Sequence, residues 1–276
     1  MPQGGQARQV GPVTPVALAI GGSDSSGGAG IQADLKTFAA FAVYGVSAIT
    51  AVTAQSMKGV NGVAALSADF VTAQIEAVAG DVAIDAVKTG MLASAAIVEA
   101  VAATIRETDL PRVVVDPVFV SSSGTRLLDE DGVRAMCAEL LPLAMVVTPN
   151  IPEAQILSGC AIGSIENARA AAARIHELGA SHVVITGGHA GGDEIVDLLY
   201  DGEVFTEFQV SRIPGGATHG TGCTFASALA SVLASGGGVV EAVAQAQAYV
   251  AGAIEHALAV GGSRPALNHF WRVQRT

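Results

Sequence analysis

Short β-branched runs alternate with longer Ala-rich stretches from residue 16 onward, and this alternation restricts the fold more than any other feature of the chain. Val16–Ile20, Val46–Thr53, Asn61–Leu66, Ala86–Lys88, Val113–Val115, Met145–Val147 and His182–Ile185 read as strands. Ile31–Val43, Phe70–Ala79, Ala95–Arg106, Val133–Leu140, Glu153–Leu157, Ile165–Leu178, Thr224–Ala234 and Val239–Val260 read as helices. In the first of these, Ile31, Leu35, Phe38 and Phe41 share one face. Ser67 or Asp69 is placed to cap the second. Repeated βα units imply an α/β fold with a mainly parallel central sheet and helices on both faces. Asp201-Gly202, between Val196–Tyr200 and Val204–Phe208, signals a hairpin and hence antiparallel strands at one edge. No repeat, linker or charge block divides residues 15–276, which read as a single domain. Residues 1–14 are polar and rich in Gly, Pro and Gln, lack the apolar core of a signal peptide, and read as a disordered tail.

Composition narrows the function. The net charge is −11 and the lysines are three, Lys36, Lys58 and Lys88. A nucleic-acid surface needs clustered Lys and Arg and is excluded. An anionic small substrate would have to be met by backbone amides, a few Arg and a metal. Cys137, Cys160 and Cys223 are far apart with no CxxC pair, which suits a reducing cytoplasm and argues against a disulfide or zinc framework. No uninterrupted apolar span of membrane-crossing length is present.

In open α/β sheets, ligands bind beyond the carboxyl ends of strands, so the polar residues there are the candidates. His219-Gly220-Thr221-Gly222-Cys223-Thr224-Phe225 opens a helix. Its amides and the helix dipole make a cradle for phosphate or developing negative charge. Cys223 stands where a thiolate is favoured. A simple helix-opening turn with a buried Cys is the competing reading. The loop from Gly21 to Gly30 lacks the G-x-G-x-x-G spacing, and no P-loop occurs anywhere in the chain. Asp24 offers this loop one carboxylate among small residues. Asp116 ends a strand, and Glu153 follows one in Asn150-Ile151-Pro152-Glu153. Together they could hold Mg²⁺ through waters, although Glu153 could equally cap its helix. Gln55 ends a strand and can both donate to and accept from a heterocycle. His219 is assigned no catalytic role, and no His pair has metal spacing.

These segments together resemble the hydroxymethylpyrimidine/phosphomethylpyrimidine kinases of thiamine biosynthesis, within the ribokinase-like superfamily. The resemblance rests on ALAIGGSDSSGGAGIQADLKTF at 17–38, VTAQ at 52–55, KTGMLAS at 88–94 and VVVDPV at 113–118. It continues through LLPLAMVVTPNIPEA at 140–154, ITGGH at 185–189, D-x-L-Y-D-G at 197–202, HGTGCT at 219–224 and LNHFW at 267–271. It implies a ribokinase-like three-layer sandwich, usually a homodimer, using ATP and Mg²⁺ to phosphorylate 4-amino-5-hydroxymethyl-2-methylpyrimidine and then its monophosphate. It implies that Gln55 contacts the pyrimidine, with Gly22, Ala29, Met91 and Val118 around it; Asp24 is read from its loop as a further substrate contact. It implies Cys223 as the base within an anion hole of Gly220, Thr221 and Gly222. Asp116 and Glu153 would lie near Mg²⁺, and Asn150, Thr186, Gly188, Gly220 and Gly222 near ATP. The chain departs from the pattern at Thr186 and Gln247, where relatives usually carry Lys. The first departure bears on ATP phosphates and the second on the substrate side. Pyridoxine or pyridoxal phosphorylation, or binding of a nucleotide or pyrimidine without catalysis, are the alternatives.

Overall fold

The computed structural model describes residues 14–121, 124–189, 194–214, 219–260 and 265–272. The expected disordered tail lies outside the described residues except for Thr14. Among the described residues nine strands form one sheet: β1 (Val16–Asp24), β2 (Tyr44–Ser56), β3 (Gly59–Ala65), β4 (Ala86–Thr89), β5 (Val113–Val115), β6 (Val146–Val147), β7 (His182–His189), β8 (Glu194–Tyr200) and β9 (Phe205–Ser211). Their order is β3-β2-β1-β4-β5-β6-β7-β8-β9. From β2 to β7 every neighbouring pair is parallel. The expected hairpin gives antiparallel β8 and β9 at one edge. The opposite edge is antiparallel as well, because β3 turns back on β2 through Met57-Lys58. That strand had been expected, but not its direction.

The eight α-helices are α1 (Gly30–Ala40), α2 (Ala68–Ala79), α3 (Ala95–Glu107), α4 (Glu130–Ala135), α5 (Ile151–Ser158), α6 (Ile165–His176), α7 (Thr221–Ala234) and α8 (Val239–Glu255) among the described residues. The period of two along each strand divides the core into two layers. Leu18, Ile20, Val113, Val115, Val183 and Ile185 face one way and pack under α2, α3, α5 and α6. Ala17, Ala19, Ala86, Val114 and Val184 face the other and pack under α1, α7 and α8. The second face is lined by small residues, which lets the Ala-rich α7, buried from Thr224 to Ala234, lie close against the sheet. Ser67 caps α2 by accepting from the Phe70 N–H, and Asp69 sits in the first turn. The expected helix over 133–140 is α4 followed by a π-helical turn, Met136–Leu140, and a 3-10 turn, Leu141–Leu143. Helix α8 stops at Glu255, short of Val260.

The chain leaves β1 through α1 to β2 on one side and later returns to β4 on the other. The order therefore reverses between β1 and β4, the position where open α/β sheets take their ligands.

Candidate active site

A cleft of about 410 Å³ lies over this switch point, at the carboxyl ends of β1, β2 and β4 to β7. Gly22, Asp24, Ala29, Gln55, Met91 and Val118 line it, as do Asp116, Asn150, Glu153, Thr186 and the whole turn from Gly220 to Cys223. Gly188 lies within β7 opposite Val196. Gln247, on α8, points away from the cleft toward β8 and β9, where its amide bonds Asp197 and the Phe208 carbonyl.

The first loop is built around Asp24. Its carboxylate accepts from the Ser26 N–H at 2.8 Å, the Ala29 N–H at 2.8 Å and the Ser26 hydroxyl, and it faces His219 Nε2 at 2.9 Å. Burial pushes this carboxyl up, but His219, Ser26 and Ala29 outweigh it and hold it at about 2. Asp24 lines the cleft, and its oxygens are at the same time engaged in shaping the loop. His219, which the sequence left without a role, joins that loop to Gln55, whose Nε2 lies 3.4 Å from the His219 Nε2. Gln55 is itself fixed by Thr53, whose hydroxyl donates to Oε1 at 3.0 Å. The turn before α7 closes against the same loop. Gly220 has φ +84, and a Cβ there would lie 1.9 Å from the Gly28 carbonyl oxygen, so neither the backbone conformation nor the space admits another residue. The N-cap of α7 is Gly220 itself, which has no side chain to cap the helix.

Beneath the turn lies a charge network that sequence reasoning missed. Lys88, on β4, and Asp34, on α1, are both 0% exposed. Their ion pair has contacts of 2.9 and 3.1 Å. Lys88 also lies 3.7 Å from Asp116. Burial pulls the Lys88 ammonium down, but Asp34, Cys223 and Asp116 outweigh it and keep it charged. Ser227 donates to Asp34 at 2.7 Å. One turn earlier on both helices, the Gly30 N–H donates to the Cys223 sulfur.

Cys223 contradicts the expectation of a favoured thiolate. Burial raises its thiol; Lys88 lowers it, but Asp116 and Asp34 raise it again, leaving it at about 12. The helix N-terminus is worth less here than desolvation beside two carboxylates. The thiol instead stands beside Asp116 and favours its ionised form.

Asp116 and Glu153 are neighbours in charge as expected. Burial lifts Asp116 to about 6, and burial together with Asp116 lifts Glu153 to about 8. The capping reading of Glu153 holds, and the same side chain reaches the cleft. It forms a capping box with Asn150, with bonds of 2.9 and 3.0 Å. One oxygen of Asp116, Oδ2, is buried without a hydrogen-bond partner. Two mutually repelling carboxylates with an orphaned oxygen fit a hard divalent cation. Among the described residues no group of three ligating side chains exists, so such a cation would take its remaining ligands from phosphate and water.

The comparisons with known proteins agree with this geometry. The family model described as phosphomethylpyrimidine kinase matches residues 24–268. The chain belongs to the phosphomethylpyrimidine kinase family. It is 46% identical to the hydroxymethylpyrimidine/phosphomethylpyrimidine kinase of Bacillus subtilis, covering 92% of this chain and 94% of that one. To the Rhizobium meliloti enzyme of the same name it is 48% identical, covering 94% and 98%. It spans about half, 51%, of the Geobacter sulfurreducens thiamine biosynthesis bifunctional protein, at 48% identity over 91% of this chain. Among solved structures, the B. subtilis pyridoxal kinase in an ADP complex superposes with TM-score 0.87 at 39% identity, covering 95% of this chain and all of that one. The Clostridium difficile phosphomethylpyrimidine kinase gives 0.77 at 40% identity, covering 86% and 98%. The ribokinase-like fold of this family is the three-layer arrangement described above.

The Asp24 network makes a pH prediction. Its folded value, about 2, lies below the ordinary 3.8. Its stabilisation is therefore complete above about pH 4 and is lost as pH falls through 2. In urea titrations, Asp24→Asn should be less stable than the parent at pH 7, and the gap should close as pH drops from 4 to 2. A gap independent of pH would show that the charge on Asp24 does not hold the loop.

Proposed function

We propose that the chain catalyses two ATP-dependent phosphoryl transfers, first to the hydroxymethyl group of 4-amino-5-hydroxymethyl-2-methylpyrimidine and then to the monophosphate so formed. The observation that carries this reading is one cleft in which Cys223 and the α7 turn stand between Gln55 at the end of β2 and the carboxylates that follow β5 and β6. With strands about 4.8 Å apart, β2 and β5 are separated by roughly 14 Å. That leaves room for a pyrimidine at the β1–β2–β4 end and a triphosphate over β5 to β7.

In this arrangement Gln55 reads the heterocycle's edge, and Met91, Val118 and Gly22 enclose its ring. The turn amides from Gly220 to Cys223 receive charge on the transferring phosphoryl group, where each such donor is commonly worth about 10²–10³-fold. Asn150 and Thr186 face the nucleotide. Asp116 and Glu153 would hold Mg²⁺, whose chemistry is to neutralise and bridge the phosphates. Because the thiol is protonated at rest, Cys223 can take the alcohol's proton only as its own passes to Asp116, which it already faces. The two act as a pair. In the second transfer the attacking phosphate oxygen is already ionised, and the pair has little to do.

A second reading, pyridoxine or pyridoxal as acceptor, is favoured by the better superposition on pyridoxal kinases, 0.87 against 0.77, and by 42% identity to the B. subtilis pyridoxine kinase. A cytoplasmic site of action suits the three free cysteines. Among the described residues no helix is long and apolar enough to cross a membrane.

The family's homodimer has a suitable surface here. Tyr44, Val52, Val63 and Phe70 are 61, 46, 44 and 57% exposed around the β2–β3 edge. An open apolar edge strand is costly to leave uncovered. We read it as covered by a second copy. Light scattering should give a dimer for the parent and a monomer for Val63→Glu; a monomeric parent would remove this reading.

Cys223→Ala tests the chemistry. Phosphorylation of the alcohol should fall by about 10²–10⁴-fold, and that of the monophosphate should fall much less. Each rate is followed by ADP release on the separate acceptors. Equal losses in the two steps would make the thiol a packing group and end its assignment as part of the base.

A further inference from the structure

Asp197 and Gln247 lie outside the cleft, and nothing in the two transfers uses them. Yet Asp197 is only 4% exposed, and no Lys or Arg among the described residues pairs with it. What surrounds it is specific. Oδ1 accepts the Gly187 N–H at 2.8 Å, and Oδ2 accepts the Gln247 amide at 2.9 Å. The same Gln247 nitrogen donates to the Phe208 carbonyl on β9 at 2.9 Å. Thus α8 and the end of β7 meet on one carboxylate of β8, and the same amide ties in β9.

The reason lies in β7. Its register against β8 shifts between Ile185 and Gly188, and Gly187 stands in the left-handed region with φ +70. A bulge of this kind turns an N–H out of the sheet ladder, and here Asp197 receives it. The preceding residue is Thr186, which lines the cleft. Its N–H donates to the Pro149 carbonyl at 2.9 Å, and it bridges to Asn150, the cap of α5. Hydrogen bonds and adjacent residues thus run without a gap from the outer side of α8 to the capping box of Glu153.

We infer that Asp197 and Gln247 are positioning residues for the nucleotide end of the cleft: they hold the bulge at Gly187 and so aim Thr186 and the Asn150 turn at ATP. The inference rests on the assignment of that end to ATP made above. A carboxylate suits the task because it presents two acceptors to two donors. Asn in its place would set an N–H₂ against one of them.

Steady-state kinetics on both substrates test this, with Asp197→Ala, Gln247→Leu and Thr186→Val each checked for folding by thermal melts. Losing one hydrogen bond to a charged acceptor corresponds to about tenfold in an equilibrium constant. Asp197→Ala should therefore raise the KM for ATP by about that factor and leave the KM for the pyrimidine unchanged. Gln247→Leu should do the same more weakly, and it decides alone if Asp197→Ala does not fold. Both KM values moving together, or neither moving in a folded variant, would overturn the inference. Thr186→Val separates the two layers of the argument. If it raises the KM for ATP while the other variants do not, the nucleotide end stands and the positioning role falls. If all three variants act on the pyrimidine KM instead, the assignment of that end falls and takes the inference with it.

Discussion

The buried pair of Lys88 and Asp34 is the contact on which the site depends. Three elements meet there: α1 through Asp34, β4 through Lys88, and α7 through Ser227. Removing either charge would strand the other without water, a loss of about 3–5 kcal/mol for a buried pair. The pair does more than join elements. It keeps α1 and α7 in step, so that Gly30 meets the Cys223 sulfur one turn above Asp34 and Ser227. The amide-rich starts of two helices therefore converge on one thiol.

This network also sets the electrical character of the cleft. Its floor holds one cation, Lys88, against two carboxylates, Asp34 and Asp116, with Glu153 close by. A site of that kind repels phosphate unless something neutral or cationic intervenes. The cleft wall offers few fixed cations: Lys88 is paired with Asp34, and Thr186 is neutral. Backbone amides and a divalent ion are left to receive the phosphates. The same crowding of carboxylates keeps Cys223 protonated and makes Asp116 its natural proton partner.

The layered α/β fold was legible because strand and helix periods are distinct in this sequence, and because glycines and capping residues mark the boundaries. The direction of β3 was not, since the turn residues Met57-Lys58 are not among the pairs that signal a tight hairpin. Gln55, Asp116, Glu153 and the Gly220–Cys223 turn could be placed in one cleft because each follows a strand. Lys88 carried a signal that went unused: a lysine between Val87 and Thr89 in a strand with both faces covered must have a buried partner. Asp34 could not be found this way, being one polar residue among several on α1. The state of Cys223 was misjudged because helix position is local, whereas the desolvation and the carboxylates that decide its pKa come from β4, β5 and α1. The donors that converge on Asp24 were not legible for a similar reason, since only the folded loop brings them together.

The measurement that bears most directly on this account is ATP turnover by the purified chain with Mg²⁺ on three acceptors, run side by side: the hydroxymethylpyrimidine, its monophosphate and pyridoxine. The account predicts ADP release with both pyrimidines, the monophosphate yielding the diphosphate. Turnover on pyridoxine alone, or tight binding of the pyrimidine with no ATP consumed, would contradict it.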